Sequence, residues 1–169
     1  MTPRVASARS DRRRAFLAIA LLAATPAALH AEAKGTATYK GKREATVTFT
    51  HAYLVKQPEL GGGQTIRRLV LSTEDVSAAL EACKTPICTD GGIGEGMTVD
   101  FDSGPRLNYW FVASDQLIQY SGTAAAASAT LTADSPSRLA GTLKFDASGA
   151  GGPVVDVTFD ARLVLELSK

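Results

Sequence analysis

Near its C-terminus the chain alternates without interruption: Val155, Val157, Phe159, Ala161, Leu163, Leu165 and Leu167 are apolar at every second position. Asp156, Thr158, Asp160, Arg162 and Glu166 occupy the opposite parity, with Val164 the one apolar exception. Side chains of a strand point alternately to its two faces, so this pattern demands a long strand buried on one side. Such a strand needs hydrogen-bonded neighbours and an apolar layer against it, which places the whole chain in a β-rich class.

The same period of two recurs upstream. Gly35 to Tyr39 reads as a strand that turns at Lys40-Gly41-Lys42-Arg43. Ala45, Val47, Phe49, His51, Tyr53 and Val55 then share one parity of a long strand, with Thr46, Thr48 and Thr50 on the other. Lys56 to Gly63 reads as a loop and Thr65 to Leu71 as a strand. Ser72 with Asp75 three residues on resembles a capping box, and Val76, Ala79, Leu80 and Cys83 follow at helical spacing, which predicts one helix over 73–83. Thr89 to Gly96 reads as a glycine-rich connector. Beyond it lie strands carrying Met97, Val99 and Phe101, then Leu107, Tyr109 and Phe111, then Leu117 to Tyr120. Residues 122–133 and a strand with Leu139, Gly141, Leu143 and Phe145 complete the pattern. The expected fold is all-β with one short helix, an antiparallel meander of about eight or nine strands closing as a barrel or a two-sheet sandwich. Residues 34–169 form a single domain in this reading.

The N-terminal segment is of another kind. Arg12-Arg13-Arg14 runs into an apolar stretch from Ala15 to Ala24, and Ala31-Glu32-Ala33 has the small-x-small form of a cleavage site. These are the parts of a removable export signal over 1–33, cut after Ala31 or Ala33. The apolar stretch is too short to span a bilayer and is followed by Pro26, so no membrane span is expected after processing. Arg13-Arg14-Ala15-Phe16-Leu17 resembles the twin-arginine export signal, although Arg12 and Ala18 depart from its pattern. An ordinary secretory signal is the alternative. In a periplasmic or secreted protein, Cys83 and Cys88 around Lys-Thr-Pro-Ile read as a disulfide. Four intervening residues suit neither a thioredoxin-type pair nor a zinc site.

Charge narrows the partners. The chain has 18 basic and 17 acidic residues, five of the basic ones before residue 15. Without the signal the body holds 13 basic and 15 acidic residues. A nearly neutral body with no basic stripe is not a nucleic-acid binder. An outer-membrane barrel would show aromatic girdles, and 7% aromatic content does not supply them.

Gly35, Tyr39, Gly41 and Lys42, then His51-Ala52-Tyr53, Leu69-Val70-Leu71-Ser72, Gly141-Thr142-Leu143 and Val157-Thr158-Phe159-Asp160-Ala161 form a series of strand motifs. In these the body is similar to small secreted bacterial β-rich proteins of unassigned function. The resemblance implies an exported β domain and carries no catalytic residue.

Three residues are candidates for ligand contact. His51 is the sole histidine of the body and shares parity with Phe49 and Tyr53, so alternation points it to the buried side, as a ligand contact or as a core histidine satisfied locally. Tyr53 accompanies it. Trp110 has the opposite parity from Tyr109 and Phe111 and is either an exposed anchor or packing beneath the helix. Asp100 with Asp102, and Asp156 with Asp160, are same-face carboxylates of the kind glycosidases use, and on a solvated face they are ordinary surface charges. No Gly-x-Ser-x-Gly elbow is present, and Gly91 to Gly96 lacks the context of a phosphate loop. The sequence thus predicts an exported, non-catalytic binding or interaction domain of the bacterial periplasm or envelope, without a cofactor. Its partner is a small apolar molecule held in the barrel or an envelope protein. The alternatives are a structural accessory protein acting by protein contacts and a carboxylate-dependent hydrolase.

Overall fold

The computed structural model describes residues 32–60 and 63–168, so the expected export signal lies outside the described residues except at its last two positions. The chain opens with β1 (Glu32–Lys40), β2 (Glu44–Phe49), β3 (His51–Pro58) and β4 (Thr65–Ser72). Two short helices follow, α1 (Ser77–Ala82) and α2 (Cys88–Gly91). Then come β5 (Gly96–Phe101), β6 (Arg106–Ala113), β7 (Ile118–Ala125), β8 (Ala129–Ser135), β9 (Arg138–Asp146) and the long β10 (Val154–Glu166).

The strands form one strongly curled sheet, a half-barrel. Its order is β2-β1-β10-β3-β4-β5-β6-β7, with β8 and β9 joined to it through β10. Every pairing is antiparallel except β10 with β3, which is parallel. The expected purely antiparallel meander is therefore corrected at this one junction. Among the described residues β7 and β8 do not pair, so the barrel is not closed by a continuous ladder.

β10 holds the sheet together. Residues 154–160 pair with β1, residues 154–162 with β9, and residues 162–166 with β3. The change of partner carries a register shift between Leu163 and Leu165. That irregularity accounts for the break in the alternation at Val164: Leu163 still faces the interior, while Val164 and Leu165 pack against a second cluster on the outer face. The seven apolar positions thus do not share one face along their whole length.

A second break separates β2 from β3. Thr50 lies outside both strands, and its amide donates to the Ser72 carbonyl. Val47 and Phe49 point inward before the break; Ala52 and Leu54 point inward after it. The parity of the expected single strand is reversed there, so His51 and Tyr53 face outward, opposite to Phe49.

The interior is packed with the chain's own side chains. Phe49, Leu54, Leu69, Leu71, Phe111 and Leu143 are all at most 1% exposed. An aromatic series runs across the open side: Phe145 to Tyr109 at 4.8 Å, Tyr109 to Tyr120 at 6.2 Å, and Tyr120 to Tyr39 at 6.4 Å between ring centroids. Offset and tilted contacts of this kind add to the burial of the rings. The Tyr120 hydroxyl donates to the Ala150 carbonyl at 2.9 Å. Gly35 and Gly141 sit where backbones approach most closely. Both have φ near +150°, and a Cβ on either would stand 2.2 Å from the neighbouring strand's carbonyl oxygen, of Asp156 or Thr130.

The helical region differs from expectation. Ser72 and Thr73 continue the sheet, with Ser72 opposite Gly96 and the Thr73 amide donating to Glu95. The helix consequently starts at Ser77, and the Asp75 carboxylate accepts the Ser77 amide at 2.9 Å. A second helix, α2, replaces part of the expected glycine-rich connector. The disulfide Cys83–Cys88 ties the end of α1 to the start of α2, with 5.5 Å between the α-carbons.

Candidate functional site

The outer face of β3–β7 is built from two adjacent cross-strand rows. In one, Tyr53, Val70, Thr98, Trp110 and Ser121 stand side by side. In the next, Val55, Arg68, Asp100, Asn108 and Thr123 do so. The β3–β4 side of this face is covered: Tyr53, Val55 and Val70 pack with Leu80 of α1 and with Ile93. Trp110 stands where this cover ends. It is half-buried against the apolar cluster and lines a cleft of about 610 Å³.

The charged side chains lining that cleft are Arg68, Asp90 and Asp100. Arg68 is only 4% exposed, and its guanidinium is held from several sides. Nε and Nη2 donate to the two oxygens of Asp100 at 2.6 and 2.9 Å. Nη1 donates to Asp90 at 2.6 Å and to the Thr89 hydroxyl at 3.1 Å. Burial alone would favour the neutral guanidine, but the hydrogen bonds and charges of Asp100 and Asp90 outweigh it and raise the pKa. Burial lifts the Asp90 carboxyl above its usual range, against the pull of Arg68 and with a further push from Asp100. Behind Thr89 lies fully buried Gln57, whose Oε1 stands 3.0 Å from the Thr89 hydroxyl, which also reaches the Pro86 carbonyl at 2.7 Å, while the Gln57 Nε2 takes no partner among the described residues.

The three candidate residues are not brought into one site. Tyr53 anchors the start of α1: its ring is buried in the outer cluster and its hydroxyl donates to Asp75 at 2.6 Å. Burial first, and Asp75 second, push its pKa well above the ordinary tyrosine value. The same bond, with the Ser77 amide, pulls Asp75 far below the usual carboxylate range. His51 is half-buried, stacked on Tyr53 at 6.2 Å, and its Nδ1 lies 2.8 Å from the Thr50 hydroxyl. That hydroxyl donates its single proton to the Thr73 carbonyl at 2.7 Å, so His51 is the donor in the shared bond. Only Trp110 opens on the cleft.

The carboxylates are also redistributed. Asp102 follows the end of β5 with φ of 68°, which breaks the alternation. It binds Arg67, whose neighbour Arg68 holds Asp100 from the opposite face of β4. Asp156 and Asp160 form exposed ion pairs with Lys144 and Arg138. Arg162, on the same parity as Asp160, acts on it only as a weaker charge. The site residue that the sequence reading passed over is Arg68. Its signal was an arginine pair inside an otherwise apolar strand, since a buried guanidinium requires carboxylate partners.

No protein-family model matches the chain, and no curated protein or solved structure matches it. Among the described residues no helix is long and apolar enough to cross a membrane, and no cluster of metal-binding side chains occurs.

Proposed function

We propose that this chain is an exported, non-catalytic binding module of the bacterial envelope that holds its ligand on the outer face, in the cleft beside Trp110. The disulfide supports a compartment in which thiols are oxidised. The carrying observation is the cleft itself: about 610 Å³, lined by the Trp110 indole, by buried Arg68 and Thr98, and by Asp90 and Asp100 held in place by Arg68. That volume and that mixture of an aromatic surface with a few fixed polar groups are usual for small-ligand sites. The filled interior argues against an apolar molecule carried inside the barrel. Contact through an apolar patch is also less favoured. Among the described residues the large exposed apolar side chains are Leu60, Ile87, Leu117 and Val154, which come from four separate segments and do not line the cleft.

Trp110 is the single tryptophan of the chain, so its emission reports the cleft directly. The test is a fluorescence and thermal-shift screen of the purified mature protein against small cationic, neutral and anionic solutes and against fatty acids. A saturable change in Trp110 emission with a rise in melting temperature supports the cleft. Stabilisation by a fatty acid with Trp110 silent would return the ligand to the interior and sink this reading.

A further inference from the structure

We infer that the occupant of the Trp110 cleft is a small organic cation, a primary or quaternary amine, seated on the indole face and neutralised by Asp90 and Asp100. This rests on the proposed use of the cleft and specifies what the cleft takes.

Charge excludes one class. The lining holds one guanidinium and two carboxylates, a formal charge of −1. Arg68 has little left to offer an anion: four hydrogen bonds, from Nε, Nη1 and Nη2, are already spent on Asp100, Asp90 and Thr89. A guanidinium carries five N–H donors, so phosphate or carboxylate ligands would meet two carboxylates and a single free donor.

A neutral ligand would leave the negative charge uncompensated in a partly enclosed, partly desolvated place. Asp90 shows that shortage: its carboxyl is raised by burial, and Asp100 adds to the rise despite Arg68 between them. Among the described residues Asp90 Oδ2 accepts no hydrogen bond, because only Oδ1 is engaged by Arg68. A primary ammonium supplies the missing charge and a donor for that oxygen, and a quaternary one, which has no N–H, supplies the charge alone. Tryptophan is the strongest of the aromatic side chains in attracting a cation to its ring face. The indole and the carboxylates therefore favour the same charge.

The experiment uses the mature, oxidised protein at low ionic strength, with putrescine and tetramethylammonium as cationic probes, maltose as the neutral probe and inorganic phosphate as the anionic one. Binding is read by Trp110 fluorescence and titration calorimetry. The expected result is saturable binding of the amines only, weakened by added salt. Asp90→Asn should lower amine affinity about tenfold or more, the weight of one charge-assisted contact. Ser121→Arg, at an exposed position of the same row, should abolish amine binding with an unchanged circular dichroism spectrum, and it leaves the Arg68 network intact. Maltose binding at Trp110 without amine binding would overturn the cation and keep the cleft. Amine quenching undiminished in both variants would also overturn it. Silence of Trp110 toward every probe would overturn both readings.

Discussion

Replacing Arg68 by methionine tests how the outer face is held together. The side chain keeps its length along the sheet, but Asp100 loses a bidentate partner at 2.6 and 2.9 Å, and Asp90 loses its contact at 2.6 Å. Both carboxylates are largely buried, with side chains 16% and 24% exposed, so water replaces the guanidinium only in part. Breaking a buried ion pair from one side costs about 3–5 kcal/mol, because the remaining charge is left uncompensated. For a domain of this size that corresponds to a fall of roughly 10–15 °C in melting temperature. Thermal unfolding followed by circular dichroism at neutral pH measures it. The pH dependence carries the sharper check. Without Arg68 the Asp90 carboxyl, already raised by burial, loses the charge and hydrogen bond that hold it down, and rises further. A carboxyl raised in this way favours folding below its unfolded pKa and costs stability as pH rises through the folded value. The deficit should therefore shrink as pH is lowered from 7 toward 5. Adding Asp100→Asn to the variant should recover about 1–2 kcal/mol at pH 7, since it removes one of the stranded charges. A loss below about 1 kcal/mol, or a deficit that does not vary with pH, would refute the assignment of Arg68 as the buried hub.

Three further outcomes follow from the same geometry. Gly141→Ala places a Cβ 2.2 Å from the Thr130 carbonyl at a φ of +153°, and chemical denaturation should show a loss of roughly 2 kcal/mol or more. Burial, with Tyr120 adding, raises the Tyr109 pKa to about 12, so ultraviolet titration should show it ionising late. Since its folded pKa lies above the unfolded one, that stabilisation is complete below the ordinary value of 10.0 and is lost as pH rises through about 12. Reducing Cys83–Cys88 opens only a short loop, and equilibrium unfolding should register about 2 kcal/mol. The same reduction should alter Trp110 emission, because α2 brings Thr89 and Asp90 to Arg68.

The strand content and the turns were legible because alternation is a local property: each residue's parity is settled by its neighbours two positions away. The disulfide was legible for a related reason, since five residues of separation leave the two cysteines near each other in almost any turn. The faces were less secure. One residue outside the ladder, Thr50, reverses every side chain after it, and the register shift at β10 does the same to Leu165. Nothing local marks Thr50 as a break; the pairing of its amide with Ser72 makes it one. Val164 did announce the second break, as the only apolar residue among the even positions from 156 to 166.

By itself the sequence determined that this chain is β-rich, carries one short disulfide loop, and is built around an alternating C-terminal strand. The tertiary structure alone decided that β10 runs parallel to β3, that the barrel interior is filled, and that Arg68, Asp90, Asp100 and Trp110 meet. Those four residues come from β4, α2, β5 and β6, and only the register of two strand pairs and the seating of α2 bring them within reach. Alternation specifies which side of its own strand a residue occupies. Which residues share that side across the sheet depends on pairing between distant segments, and the burial of charge is decided at that level.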